Sequence, residues 1–178
     1  MGGMPRPGRV VGRLLIINIV VFFLQHVFLR NWLVDWFAVV PARWWEIWRY
    51  VTFQFLHGGF GHIFFNMLAL YFLGMMLEAD WGGRRFLAFY LVCGVVAGIA
   101  HVLLTPVLNQ PTWVPLIGAS GGVYAVLLAC AVFFPRIRIL VYFLFPVPIR
   151  VVAAIFLGIA LFNVLLGIRV AMDFWSRR

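Results

Sequence analysis

The chain has no lysine, only five acidic residues and only two cysteines, and each shortage removes a class of protein. With 11% charged against 65% hydrophobic residues over 178 positions, there is too little polar surface for a soluble domain, and the composition is that of a membrane protein. Nucleic acid binding would need a soluble basic face, which is absent. The net charge of +9, carried by 14 arginines, fits anionic lipid headgroups instead. Cys93 and Cys130 lie inside apolar runs without metal-like or redox spacing, and read as small buried hydrophobes. There is no HExxH for zinc, no Gly-Asp pair for an aspartyl dyad and no GxxxxGK loop for phosphates, so neither a metal nor a cofactor is expected. His57 and His62, five apart with His57 in a Gly-rich turn, are poorly spaced for a metal site on one helix face.

What is there is apolar. A helix crossing the hydrocarbon needs about 20 residues at about 1.5 Å each. Five runs approach or meet this, at 11–29, 60–77, 86–104, 120–134 and 151–168, and they predict an all-α polytopic bundle forming one domain over 1–178. Arg6, Arg9 and Arg13 precede the first run as in a signal peptide, but no small-residue cleavage site follows, so it reads as a retained span. All eight tryptophans fall outside the five runs, as an interfacial belt requires. Five of them, Trp32, Trp36, Trp44, Trp45 and Trp48, crowd into residues 30–50, which predicts a loop partly embedded in the interface.

Arginine bias supplies the orientation. A cytoplasmic N-terminus puts Arg6, Arg9, Arg13, Arg84, Arg85, Arg136, Arg138 and Arg150 inside, and Arg30, Arg43, Arg49, Arg169, Arg177 and Arg178 outside. The uncharged connection 105–119 then faces outward. An Arg-only, Ala/Gly/Val-rich chain has a bacterial cast, which gives an expected location in the inner (plasma) membrane.

The stretch that concentrates chemistry is IGASGGVYAV at 117–126. One reading makes Ser120 a helix N-cap and Gly118 with Gly122 a small-xxx-small packing face. The other makes Ser120 a nucleophile at a helix N-terminus, with free backbone N–H groups beside it for an oxyanion. The fourth run, 15 residues between Pro115 and Pro135, spans only about 22 Å of a core about 30 Å thick, so Ser120 is expected below the outer surface. In HGGFGHIFFNMLAL, His62 and Asn66 are four apart and share one helical face. Alone, either could be interhelical hydrogen-bond glue. With Ser120 they could supply donors to a tetrahedral oxyanion.

In its motifs and their order, EIWRYVTFQFLH, HGGFGHIFFNMLALYFLG and GASGGVYA, the chain resembles the rhomboid family of intramembrane serine proteases. The resemblance implies that Ser120 is the nucleophile and that His62 and Asn66 match the HxxxN that helps form the oxyanion hole. Gly118, which opens GASG, and Tyr124, which matches the aromatic packed against the catalytic histidine, are the implied supporting residues. Trp48 and Arg49 match the Trp-Arg pair of the embedded first loop. The implied substrates are transmembrane proteins, cut near the membrane surface without a cofactor.

The family pattern has six core helices with the general base, a histidine, on the sixth. Here no histidine follows His101. His62 is committed to the oxyanion side and His101 reads as an interfacial or packing residue. The expectation is therefore a protease truncated at its C-terminus, nearly inactive as given because a serine needs a base. The alternative is a pseudoprotease that binds transmembrane clients without cutting them. A small transporter or channel would need intramembrane carboxylates or paired charges that are lacking.

Overall fold

The computed structural model describes residues 8–141 and 145–176. Arg6, Arg177 and Arg178 lie outside them, as do the side chains of Arg30, Arg169 and Trp175. Apolar runs of sufficient length become helices because a bilayer offers no water to the backbone, and only intrasegment hydrogen bonding satisfies it. The first is α1 (Arg9–Val27). The Trp-rich connection is more ordered than a loop: α2 (Arg30–Phe37), a 3-10 turn at Pro41–Arg43, the short α3 (Arg49–Thr52) and a second 3-10 turn at Phe53–Phe55. Then come α4 (Phe60–Trp81), α5 (Gly83–Val107), α6 (Ser120–Phe133) and α7 (Ile149–Ser176). The first, α4 and α5 are long and apolar enough to cross a membrane.

The helix that carries the fifth apolar run extends past it, through the arginine-containing segment to Ser176. The connection before it is a β-hairpin, β1 (Arg138–Val141) against β2 (Phe145–Pro148), antiparallel with Arg138 opposite Pro148. Pro146 and Pro148 cost little there, since each strand has a free edge.

The most enclosed helix is α6, whose Val123, Val126, Leu127 and Cys130 lie in a core with Leu70 and Leu73 of α4 and Phe86 and Tyr90 of α5. Without a hydrophobic drive between helices in lipid, such contacts depend on close van der Waals approach through small residues. A methyl group on Gly121 would lie 2.6 Å from the Ala97 Cβ, and one on Gly122 would lie 2.8 Å from the Tyr90 ring and 2.9 Å from its carbonyl. Gly118 takes no part in this face; it precedes the helix, so the packing pair is Gly121 with Gly122.

Two devices adjust α4. Its middle widens into a π turn at Leu70–Gly74, and the Cys130 thiol reaches the Leu73 carbonyl there at 3.5 Å. Below that turn Glu78, nearly buried, accepts hydrogen bonds from Val10 N–H (3.0 Å) and Val11 N–H (2.8 Å). A carboxylate from another span thus caps α1, whose own Gly8 supplies no side chain, and it meets the positive end of the helix dipole. Trp81 ends α4 edge-on to Phe89 and Phe133 and so closes one end of the bundle.

Replacement of Gly122 by Ala should cost about 1–3 kcal/mol by overpacking, read as a lower melting temperature in detergent. Gly158→Ala, whose Cβ would meet nothing within 4 Å, should leave it unchanged or raise it.

Candidate active site

The connection before α6 is pinned at three places. Val39 and Leu116 exchange backbone hydrogen bonds of 3.1 and 2.8 Å, Ala42 N–H donates to Thr112 O, and Gly118 N–H donates to Phe53 O at 2.9 Å. The Trp-rich connection and residues 105–119 are therefore joined at the same end of the bundle. Gly118 has φ +126°, in the region that favours glycine. Its Cβ position is also taken: a methyl group there would lie 2.6 and 2.7 Å from His62 Cε1 and Nε2, and 3.8 Å from Ser120 Oγ. Only glycine lets the imidazole of α4 lie against the backbone that leads into Ser120.

Ser120 is the first residue of α6 and half-buried; it is not the cap, which is Ala119. The first helical hydrogen bond runs from Val123 N–H to Ala119 O. The amides of Ser120, Gly121 and Gly122 thus lack a helical acceptor, and no side chain caps them. Asn66, nearly buried, donates through Nδ2 to the His62 carbonyl at 2.9 Å and so shares that face of α4. The Nδ1 atom of His62 accepts from Gly58 N–H at 3.4 Å. With Nδ1 as acceptor, the proton of a neutral ring resides on Nε2, the nitrogen turned toward Gly118. Ser120 Oγ itself makes no hydrogen bond among the described residues.

His57 is completely buried, edge-on to His62 with ring centroids 5.1 Å apart. Its backbone N–H donates to Gln25 Oε1 and its carbonyl accepts from Gln25 Nε2, both at 3.0 Å. Neither ring nitrogen of His57 is hydrogen-bonded among the described residues. Burial, reinforced by the nearby His62 and slightly by His26, holds its pKa down to about 4, with a backbone contact at Phe55 opposing.

Arg49 is buried, with its guanidinium paired to Glu46 and donating to the Ala38 carbonyl at 2.8 Å; Trp48 Nε1 donates to the Trp36 carbonyl at 3.1 Å. The Trp-Arg pair therefore folds the connection onto itself and lies outside the Ser120 corner. Tyr124 packs against Phe156 of α7, with ring centroids 5.5 Å apart and the planes tilted by 53°, beside a cavity of about 100 Å³ between α6 and α7. No described histidine stacks on it. His101 makes no hydrogen bond to Ser120, and its Nε2 has no partner among the described residues. Among the described residues no three His, Cys, Asp or Glu side chains gather to hold a metal ion.

A family model, the Rhomboid domain, matches residues 44–176. The chain belongs to the rhomboid family. It is 38% identical over 82 residues to rhomboid protease GluP of Bacillus subtilis, covering 46% of this chain and 15% of that protein. It is 28% identical over 164 residues to RHOMBOID-like protein 12, mitochondrial, of Arabidopsis thaliana, covering 84% and 48%. It is 36% identical over 58 residues to Inactive RHOMBOID-like protein 8 of the same plant, covering 33% and 16%. The chain thus spans less than half the length of these relatives. With its apolar helices, rhomboid membership makes it an integral multi-pass membrane protein.

Sequence reasoning missed Gln25 and underrated His57. The signal was present: Val11, Leu14, Asn18 and Gln25 form the buried stripe of α1 at spacings of three, four and seven, and two of the four are polar. His57 also generates a pH dependence. Its unfolded pKa near 6.5 exceeds the folded value of about 4, so the unfolded state binds more protons between them. Stability is complete above pH 6.5 and is lost as pH falls toward 4, by on the order of 3 kcal/mol. His57→Phe should reduce the drop in melting temperature between neutral and acid pH; an equal drop would contradict the assignment.

Proposed function

We propose that the chain carries the nucleophile and oxyanion corner of an intramembrane serine endopeptidase acting on transmembrane protein substrates. The observation that carries this reading is the His62 imidazole against Gly118, beside a serine at the uncapped start of α6. Ser120 Oγ would attack a backbone carbonyl carbon. The resulting oxyanion would meet His62 Nε2–H, the second Nδ2 hydrogen of Asn66 and the Ser120 amide. Gly118 would admit the imidazole, and Tyr124 would support the histidine that serves as base. That base takes the serine proton and returns it to the leaving amine. In the family pattern it stands on a further helix, outside the described residues. Water then hydrolyses the acyl-enzyme.

A second reading, a rhomboid-like protein that holds transmembrane clients without cutting them, is supported by the similarity to a relative named inactive. The two readings divide on Ser120→Ala.

In the full-length protein, reconstituted with a single-pass transmembrane substrate, Ser120→Ala should abolish cleavage. His62→Ala or Asn66→Ala should slow it by about 10²–10³-fold, the usual effect of losing one oxyanion donor, with a smaller change in melting temperature. Cleavage unaffected by Ser120→Ala would overturn the protease reading. Crosslinking to the substrate without cleavage, equal in wild type and Ser120→Ala, would establish the binding one.

A further inference from the structure

We propose that Gln25 is a positioning residue that sets the tautomer of His62 through the peptide unit joining His57 to Gly58. The carbonyl of that unit accepts from Gln25 Nε2 at 3.0 Å, and its N–H, the amide of Gly58, is the group aimed at His62 Nδ1 at 3.4 Å. Gln25 Oε1 meanwhile takes the His57 N–H at 3.0 Å, so both edges of His57 are clamped and the next peptide plane is held. Carbonyl and N–H of one trans peptide point in opposite directions. Holding the carbonyl toward α1 therefore directs the Gly58 N–H toward α4. A carbonyl that accepts a hydrogen bond also polarises its own N–H into a better donor. The Gly58 contact is long, which makes its alignment sensitive to what stands behind it.

Gln25 is 2% exposed in a span that lipid would accept as wholly apolar, so its amide is conspicuous there. The consequence is that Nδ1 of His62 is kept as acceptor and Nε2 carries the proton on the side of Gly118 and Ser120. This deepens the oxyanion role proposed for His62, and rests on that reading for its meaning in catalysis. The tautomer itself can be measured without any substrate.

The test is nuclear magnetic resonance of the protein in detergent with isotope-labelled histidine, the His62 signals being those lost in His62→Gln. In wild type the Nε2–H tautomer should dominate; a dominant Nδ1–H tautomer would overturn the proposal. Gln25→Met keeps the volume but removes both hydrogen bonds. It should lower the Nε2–H to Nδ1–H ratio of His62 roughly fivefold, the equilibrium equivalent of one ordinary hydrogen bond, while His26 and His101 stay unchanged. An unmoved ratio in the folded variant would overturn the proposal.

Should Gln25→Met not fold, Gln25→Glu serves. Buried and protonated, its carboxyl offers the same donor and acceptor and should retain the wild-type ratio. Raising the pH until that proton leaves should shift the ratio as Gln25→Met does, and a ratio that does not follow the ionisation would overturn it. A failure of cleavage with the tautomer as described would count against the protease reading alone.

Discussion

The contact on which the molecule depends is the approach of α6 to α5 through Gly121 and Gly122, where even a methyl group has no room. In a bilayer apolar surface is not driven together by water, so a helix is seated by close packing. Once seated, α6 is short, its 14 residues rising only about 21 Å, so it is the contact with α5 that fixes where Ser120 begins the helix.

A second requirement comes from the non-helical connections. Non-helical backbone near a bilayer must find partners within the protein, because the hydrocarbon supplies none. The chain meets this with long-range hydrogen bonds: Val39 with Leu116, Gly118 N–H with Phe53 O, the Gln25 amide with both sides of His57, and Glu78 with the first amides of α1. Each joins segments far apart in sequence. Together they tie the non-helical connections to the spans, alongside a single ion pair among the described residues. The same economy explains the glycine at 118: it must adopt φ +126° and leave an imidazole its space.

The spans could be read from the chain because run length and tryptophan placement answer to bilayer thickness, a constraint that acts on each segment separately. The bundle class, both boundaries of four of the five apolar runs to within a few residues and the shared face of His62 and Asn66 all follow from such local rules. What was not legible depends on contacts between segments. The pairing of Gln25 with His57 and of Glu78 with α1 requires knowing which spans touch, and so does the choice of Gly121 over Gly118 as the packing residue. The π turn at Leu70–Gly74 has no Pro or polar signature, and the β-hairpin was hidden because its two strands are each four residues long. For the candidate site, the sequence nominates residue types but carries no geometry: the Nδ1 atom of His62 meets an amide donor four residues upstream that has no side chain to announce it.

The central claim is that Ser120 is an activated nucleophile facing an oxyanion corner. The most direct measurement is to expose native membranes containing the full-length protein to a fluorophosphonate and locate the adduct by mass spectrometry. The account predicts a single phosphonylated residue, Ser120, with the label lost in Ser120→Ala and slowed in His62→Ala. A protein that remains unlabelled while intact and folded, or one labelled elsewhere, would contradict it.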